Sequence, residues 1–369
     1  LMKIGLIDVT ITMSYGGIQT AVWELAKQLH DAGHEVHLYG GNGDVRHELA
    51  GRQIHIHTYP YTPREKVIDL GGRFRRIVER YSFARYAKQD VIRQNFDWVI
   101  LTKPFDFFWP AMMPKSCSTR FCYMSGGTSF FKGDRKLAKK ISAWVACSHF
   151  NAWQIQQHFK QFPAVIYNGV DMAKFKPMTT SLRQQLGVSE PTFLLAFAGR
   201  VVGWKGLSVA IDAIAQLRDE DVKLLIIGAG DALEQLKNKA MVKGVAEQVI
   251  FHQPVEHAML PEFYAACDAG VFPSIGDEAF GITIAEAMAC GKPVIASYIG
   301  GIPEVVGNEQ SAGLLVTPGD VTAMVKAINH LRALPDRGKA MGENARQRIA
   351  SHYTWQHSAQ RLLQALKTE

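Results

Sequence analysis

Hydrophobic and polar residues alternate along the chain in two recurring patterns. Short apolar runs, typical of buried strands, are followed by longer stretches in which apolar residues recur at helical spacing. The first unit has a strand at 3–9, a loop ending at Gly16-Gly17, a helix that stops at Gly33 and a strand at 35–39. The apolar face of this helix is formed by Ile18, Ala21, Val22, Leu25, Ala26 and Leu29. Such units predict a parallel sheet covered by helices.

The strand pattern occurs in two series, separated by turn residues at 168–171. The first series continues with strands at 98–101, 120–124 and 144–147, and the second has strands at 193–197, 223–227, 249–251 and 270–272. We therefore expect an α/β protein of two doubly wound, Rossmann-like domains, at 1–167 and 168–352, facing across a cleft. In such domains, ligands bind at the carboxyl ends of the strands.

The composition fits this architecture. With 369 residues and 47% hydrophobic content, the chain exceeds what one core serves comfortably. No apolar run approaches the roughly 20 residues of a membrane span, and the sequence enters its first strand without the layout of a signal peptide. The five cysteines are scattered and lie mostly in apolar segments, as reduced thiols do. We expect a cytoplasmic protein.

The formal net charge of +7 is unevenly distributed. Segment 64–93 carries nine basic residues against four acidic ones, and a second basic cluster spans 132–140. Because aromatic and aliphatic residues are interleaved with the first cluster, it could lie on an anionic membrane surface or hold a phosphorylated ligand. A solvated helix face is the alternative. No recognised nucleic-acid-binding module accompanies the charge, so we expect no nucleic-acid partner.

Two carboxylates, Glu278 and Glu286, lie eight positions apart around a turn that opens a helix. The turn and the first helical residues are Phe280, Gly281, Ile282 and Thr283. Amides of a first helical turn have no partner within the helix and suit a phosphate. Glu286 lies one turn further, where it can accept both hydroxyls of a ribose, and Glu278 lies near whatever the phosphate carries. The arrangement suits a nucleotide sugar, whereas a helix start with acidic residues that favour its dipole is the simpler alternative.

Two cations, Arg200 and Lys205, follow the first strand of the second series. Fixed cations there would stabilise the charge that develops on a leaving diphosphate more than they stabilise the ground state. Two solvated loop cations are the alternative. In the first series, Gly16 and Gly17 let the backbone approach a phosphate closely at a helix N-terminus, although a tight turn also needs them.

Together these motifs resemble one family. With segments 268–274, 286–295 and 300–304, they are similar to the retaining, GT-B-fold glycosyltransferases of the group 1, or family-four, type. The resemblance covers nearly the whole chain and is strongest from 168 to 320. It implies that 168–171 is the interdomain linker and that a terminal helix at about 353–369 crosses back onto the N-terminal domain.

The resemblance also implies roles for the residues. The donor would be a UDP- or GDP-sugar whose β-phosphate acts as the base, so no carboxylate nucleophile is needed and Glu278 binds sugar hydroxyls. Cations and helix amides would supply the charge that a metal supplies elsewhere, so we expect no metal and no cofactor. The catalytic residues would be Glu278, Arg200 and Lys205. The donor-binding residues would be Gly16, Gly17, Arg200, Lys205, Phe280, Gly281, Ile282, Thr283 and Glu286.

The sequence departs from the family pattern after the middle strands of the first domain. Many relatives carry a His beside the donor sugar there, whereas this chain has a Ser-Gly-Gly-Thr segment. The residues that would occupy the space, as contacts to the sugar or the acceptor, are Ser125, Gly126, Gly127 and Thr128. Trp204, which precedes Lys205, is also unexpected in its motif.

Two other signals carry less weight. Asp219 and Asp221 match the Asp-x-Asp of metal-dependent sugar transferases, but they lie in a polar turn and we interpret them as solvated surface. His55 and His57 share one face of a strand, yet the sequence offers no third ligand, and we expect a structural role for them.

We therefore expect a retaining hexosyl- or N-acetylhexosaminyltransferase that moves a sugar to a glycan or lipid-linked acceptor. Its setting would be bacterial cell-surface polysaccharide or lipopolysaccharide assembly, at the inner face of the plasma membrane. The alternatives are a transferase for a small soluble acceptor, a sugar-nucleotide epimerase of the same fold and a catalytically silent carbohydrate-binding protein. The pair of Glu278 and Glu286 argues against the epimerase, and their combination with Arg200 and Lys205 argues against the silent protein.

Overall fold

The computed structural model describes residues 1–43, 49, 51–127 and 129–368. The chain divides into two compact units: unit 1 comprises Leu1–Asn168 and Trp355–Glu369, and unit 2 comprises Gly169–Thr354.

Unit 1 contains a seven-stranded parallel sheet with the strand order β3-β2-β1-β4-β5-β6-β7. Its strands are β1 (Lys3–Ile7), β2 (Glu35–Gly41), β3 (His55–Tyr59), β4 (Trp98–Leu101), β5 (Arg120–Met124), β6 (Ala143–Ala146) and β7 (Ala164–Val165). Its helices are α1 (Gly17–Asp31), α2 (Gly72–Gln94), α3 (Trp109–Met112), α4 (Asp134–Ala138), α5 (His149–Phe159) and, from the end of the chain, α14 (Trp355–Thr368).

Successive residues of β1 face opposite sides of this sheet, and a separate core covers each side. Ile4 and Leu6 pack in one core with helix α1, and Ile7 packs in the other with helix α2. Helix α14 joins the first core through side chains spaced at three and four residues, namely Trp355, Ala359, Leu362 and Leu366. The end of the chain thus completes a core that the first strand begins.

Unit 2 contains a six-stranded parallel sheet with the order β10-β9-β8-β11-β12-β13. Its strands are β8 (Phe193–Ala198), β9 (Val222–Ile227), β10 (Val249–His252), β11 (Ala269–Phe272), β12 (Val294–Ser297) and β13 (Gly313–Val316). Its helices are α6 (Leu182–Gln185), α7 (Leu207–Leu217), α8 (Leu233–Val242), α9 (Leu260–Ala266), α10 (Ile282–Ala289), α11 (Ile302–Val306), α12 (Val321–Ala333) and α13 (Lys339–His352).

Both sheets reverse their direction of winding beside their first strand. In unit 2 the chain adds strands on one side of β8 and then returns to add β11 on the other, and β1 and β4 have the same relation in unit 1. The predicted doubly wound α/β class is therefore confirmed for both units. Such switch points are where open α/β sheets bind ligands. Among the described residues, no helix is both long and apolar enough to cross a membrane.

Candidate functional site

The candidate site of unit 2 is built from the two loops at its switch point. One loop follows β8 and contains a short 3-10 helix at Gly203–Lys205, and the other follows β11 and leads into α10. The amides of Ile275 and Gly276 both donate to the carbonyl oxygen of Trp204, at 2.9 and 3.2 Å. These bonds hold the β8 loop against the β11 loop.

Gly206 makes this close approach sterically possible. Its φ is +70°, and a Cβ atom at this position would lie 1.9 Å from the carbonyl oxygen of Pro273. Only glycine combines this conformation with that contact. The glycine therefore brings Lys205, which precedes it, up to the neighbouring loop.

Lys205 forms an ion pair with Glu278 across the two loops. The distance from Lys205 Nζ to Glu278 Oε2 is 2.5 Å, and both side chains are largely withdrawn from solvent. The indole of Trp204 lies 4.3 Å from the same ammonium group, and the Arg200 guanidinium lies 6.0 Å from that ring. The unexpected tryptophan therefore packs against the two cations, and an ammonium held in this way still has N–H donors for a second acceptor.

The loop after β12 fixes the backbone of Glu278. The amide of Gly301 donates to the Glu278 carbonyl oxygen at 2.7 Å. Gly300 has a φ of +57°, and a Cβ atom there would lie 2.3 Å from that same oxygen. The Gly-Gly pair thus clamps the residue that carries the carboxylate.

Helix α10 begins at Ile282, immediately after Gly281, which adopts a left-handed conformation with φ +94°. Phe280 is buried, and its ring packs 5.9 Å from that of Tyr353. The Phe280 side chain therefore anchors the turn. Thr283 lies in the first turn, where its carbonyl oxygen accepts a 3.4 Å hydrogen bond from the Tyr264 hydroxyl. Burial raises the pKa of Tyr264 well above its usual range, so this phenol stays a donor.

Glu286 is buried one turn into α10, where His257 binds it. His257 Nε2 lies 2.9 Å from one carboxylate oxygen and 3.0 Å from the other. His257 belongs to a 3-10 helix at His257–Met259, beyond the carboxyl end of β10. Sequence reasoning missed this histidine. The available signal was its position, because polar residues that follow a parallel strand lie on the ligand edge of the sheet.

In unit 1, the glycine pair lies beside the Ser-Gly-Gly segment. Gly16 precedes α1 and Gly17 is its first residue, and both are exposed. A Cβ atom on Gly126 would lie 2.9 Å from the Ile18 side chain in the first turn of that helix. Ser125 is buried, and its hydroxyl donates to the Gly127 carbonyl oxygen at 3.0 Å, so it shapes the loop. Thr128 lies outside the described residues.

A buried ionic cluster occupies the switch point of unit 1. Arg80 of α2 contacts Asp8, which follows β1, and Asp106, which follows β4. Burial, together with the nearby charge of Asp8, raises the pKa of Asp106 to about 7 against the opposing effect of Arg80. Despite the burial of Asp8, the Arg80 guanidinium, helped by hydrogen bonds from Thr10 and Thr102, holds the pKa of Asp8 below its ordinary value. Near neutral pH, Asp8 is therefore ionised, whereas Asp106 is only partly ionised.

Ion pairs within unit 1 account for part of the positive charge of segment 64–93. Arg80 is buried between carboxylates, Arg64 pairs with Glu79 at 2.8 Å, and Arg75 pairs with Asp69 at 3.3 Å. Three of the nine cations are therefore neutralised within the fold. The exposed cations of the segment include Lys66, Arg73, Arg76, Arg85 and Arg93.

Two family models match the chain in succession. The model described as Glycosyltransferase Family 4 matches residues 15–174, and the model described as Glycosyl transferases group 1 matches residues 178–348. The chain belongs to the group 1 glycosyltransferases. The resemblance seen in the sequence motifs is confirmed.

Two relatives illustrate the similarity of this group 1 chain to known proteins. It is 35% identical over 211 residues to a D-inositol 3-phosphate glycosyltransferase of Xylanimonas cellulosilytica. The matched region covers 54% of this chain and 49% of that protein. It is 33% identical over 209 residues to a GDP-mannose-dependent alpha-(1-6)-phosphatidylinositol monomannoside mannosyltransferase of Mycolicibacterium smegmatis, with 54% of each chain covered. The chain spans about half the length of these curated relatives.

Among solved structures, the group 1 chain is similar to Anabaena HepE in complex with UDP and glucose. The TM-score is 0.81 at 23% sequence identity, and all of both chains is covered. The GT-B fold class predicted from the sequence is thereby confirmed.

The Asp-x-Asp signal of the sequence lies away from the candidate site. Asp219 precedes β9, at the amino end of the strand, and accepts a 2.7 Å hydrogen bond from Arg332. A hydrogen bond from the Asp221 amide, supported by Arg332, lowers the pKa of Asp219. Asp219 is thus engaged at the opposite edge of the sheet. Within the described part of the chain, the one group of three or more His, Cys, Asp and Glu side chains spaced closely enough for a metal ion lies in unit 1.

Proposed function

We propose that this chain transfers a sugar from a nucleoside diphosphate sugar to a hydroxyl acceptor with retention of the anomeric configuration. The observation that carries the proposal is the Lys205–Glu278 ion pair at the switch point of unit 2. It places a cation suited to bind a phosphate next to a carboxylate suited to bind sugar hydroxyls. Family membership and the half-length match to sugar transferases support the same reading.

Each side chain has a role that its surroundings support. Lys205 uses its remaining N–H donors, and Arg200 its planar fork, to bind the diphosphate. The amides from Gly281 to Thr283 add the positive end of a helix dipole to that site. Glu286, fixed by His257, accepts the ribose hydroxyls. Glu278 accepts sugar hydroxyls beside the ammonium that meets the β-phosphate.

Retention and metal independence follow from this arrangement as proposals. The donor β-phosphate takes the acceptor proton on the face from which it departs, so no carboxylate attacks the anomeric carbon. Arg200, Lys205 and the helix amides offset the charge on the leaving diphosphate. The engagement of Asp219 with Arg332 favours this scheme over a metal held by the Asp-x-Asp turn.

The names of similar proteins narrow the substrates that we propose. A GDP-mannose-dependent relative and a structural neighbour with UDP and glucose make a GDP- or UDP-hexose the donor to test first. For the acceptor we favour a phosphorylated or lipid-linked glycan of the bacterial surface, handled at the inner face of the plasma membrane. A small soluble phosphorylated polyol is the second candidate, because a D-inositol 3-phosphate glycosyltransferase is among the relatives.

The unit 1 surface supports an acceptor at a membrane. Ile68 and Leu70 are 78% and 69% exposed immediately before α2, and Phe74 is exposed in its first turn. Lys66 and Arg73 stand among them and are exposed as well. Apolar residues that project among cations suit the interface of an anionic bilayer.

Thermal-shift screening against UDP- and GDP-sugars, in EDTA, tests the proposal. We expect one nucleotide class to raise the melting temperature in the chelator, because ligand binding to the folded state stabilises it. An absence of any shift would contradict donor binding, and a shift that requires added manganese would restore the metal-dependent scheme. Product analysis of the selected donor without acceptor separates a transferase, which hydrolyses it slowly, from an epimerase, which converts its sugar.

A further inference from the structure

A cluster of histidines lies on one face of β2 and β3 in unit 1, outside the candidate sugar site. Residues of a strand alternate between faces, so Glu35 and His37 of β2 share the face that His55 and His57 use on β3. The register pairs His37 with His55 directly. Glu35 is the first residue of β2, so the cluster lies toward the amino end of the sheet, whereas Asp8 and Ser125 follow the carboxyl ends of their strands.

The side chains of the cluster lie in close contact. His37 Nε2 is 2.8 Å from Glu35 Oε1, and His37 Nδ1 is 2.8 Å from His57 Nε2. His57 Nδ1 is in turn 3.1 Å from Asp90 Oδ2. The ring of His55 stacks on that of His37 with 4.4 Å between centroids. One ligand atom from each of Glu35, His37 and His55 lies within 4.8 Å of the other two.

A count of protons shows that this series is one proton, or one cation, short. Each of the three contacts from Glu35 through His37 and His57 to Asp90 brings two lone-pair atoms together, so each needs a proton or a cation. Ionised carboxylates bring no proton, and two neutral imidazoles bring one each. Two protons therefore serve three contacts. Lys3 lies 3.2 Å from the same Glu35 oxygen and offsets its charge, but the 2.8 Å between that oxygen and His37 Nε2 leaves no room for the ammonium between them.

The surroundings favour a cation over a third proton. His55 has no place in the series, yet it lies where it can add a nitrogen ligand beside Glu35 and His37. Two imidazoles and one carboxylate are a known ligand set for zinc.

We propose that Glu35, His37 and His55 bind a divalent transition-metal ion of the zinc class, with water at the remaining position. The ion takes the lone pair of His37 Nε2 and replaces the proton between that nitrogen and Glu35. The Nδ1–H of His37 then donates to His57 Nε2, and His57 Nδ1–H faces Asp90. His57 and Asp90 thereby orient the His37 ring, as partners of metal-bound histidines do.

Calorimetric titration of the untagged, chelator-treated chain with zinc chloride tests the site. His55→Asn removes an exposed ligand, and His330→Asn, which changes an exposed histidine of α12 in unit 2, is the matched control. We expect one tight equivalent of zinc in the wild type and in the control. In His55→Asn we expect its affinity to fall by at least about tenfold, since the loss of a mere orienting partner already costs that much.

A second variant and a spectroscopic readout keep the test decisive. Glu35→Gln removes the other exposed ligand and should weaken the same equivalent. Cobalt in place of zinc should give visible absorption in the wild type and in His330→Asn, and less in both ligand variants. Zinc binding of equal affinity and stoichiometry in all four proteins would overturn the proposal, as would an absence of tight binding in the wild type.

Discussion

Lys205 and Glu278 are 73 positions apart in the sequence, yet they form a 2.5 Å ion pair. Three loops at the switch point of unit 2 create this pair: the loop after β8 supplies the ammonium, the loop after β11 supplies the carboxylate, and Gly300 and Gly301 after β12 clamp the latter. The pair is therefore a product of the topology, and it fixes where a diphosphate and its sugar would lie relative to each other.

Lys205→Ala should depress turnover far more than stability. The loss of one preorganised donor to a developing charge costs about 10²–10³ in kcat. We expect such a loss in hydrolysis or transfer of the donor selected by thermal shift, with little change in melting temperature. Lys237→Ala, which removes a partly exposed lysine of α8, is the control and should leave both quantities unchanged. A collapse of the melting temperature in Lys205→Ala would show instead that the ion pair is structural.

His257 should act on the donor through Glu286. Because His257 contacts both carboxylate oxygens, His257→Ala frees the side chain that would bind the ribose. We expect weaker nucleotide binding in His257→Ala and in Glu286→Gln, and a double variant whose loss is smaller than the sum of the two. His252→Ala, which alters a histidine that contacts the Gln253 carbonyl oxygen, should bind like the wild type. Additive losses on calorimetry would show that the two residues act independently.

Much of the fold follows from the sequence because strands and helices are local patterns. The apolar runs predict β4 and β5 with their observed bounds. The apolar run predicts that β1 extends to residue 9, but the strand ends at Ile7. It ends there because Asp8 accepts a hydrogen bond from the Thr10 amide and a 3-10 helix begins at Val9. A short capping interaction there overrides the apolar character of the next residue.

Contacts between elements do not follow in this way. His55 and His57 gain His37 and Glu35 as neighbours only through the register of β3 on β2, which no local pattern specifies. The sequence shows no third ligand for His55 and His57 because the nearest candidates lie on the neighbouring strand. Likewise, Phe280 belongs to the donor motif by position, while the buried packing of its ring on Tyr353 depends on a residue far along the chain.

Asp106→Asn should remove a pH dependence of stability. The raised pKa of Asp106 means that the folded state keeps a proton that the unfolded state releases at lower pH, so stability falls as pH rises to about 7 and then levels off. Relative to the wild type, we expect the melting temperature of Asp106→Asn to rise between about pH 5 and pH 8. Asp31→Asn is the control, because Arg52 lowers the pKa of Asp31 and both states are ionised in this range. Parallel melting curves for Asp106→Asn and the wild type would contradict the assignment.

The exposed apolar residues before α2 should contribute to binding of anionic vesicles. Serine at both Ile68 and Leu70 should reduce co-sedimentation, while Val242→Ser in unit 2, which changes a side chain that is 76% exposed, should not. Added salt should weaken the binding, since charges are screened beyond about 8–10 Å near physiological ionic strength. Equal, negligible sedimentation with neutral and anionic vesicles at low salt would leave segment 64–93 as a solvated helix face and favour a soluble acceptor.

Calorimetric titration of the selected nucleotide sugar in EDTA, against the wild type and Glu286→Gln, tests donor binding by unit 2 most directly. A neutral amide is a poorer acceptor for two ribose hydroxyls, so the variant should lose about 1.5–3 kcal/mol of binding free energy. Glu247→Gln, which changes an exposed glutamate ahead of β10, should bind with wild-type affinity. The account predicts one equivalent of donor bound without metal and weakened only in Glu286→Gln. Equal affinity in all three proteins would contradict it.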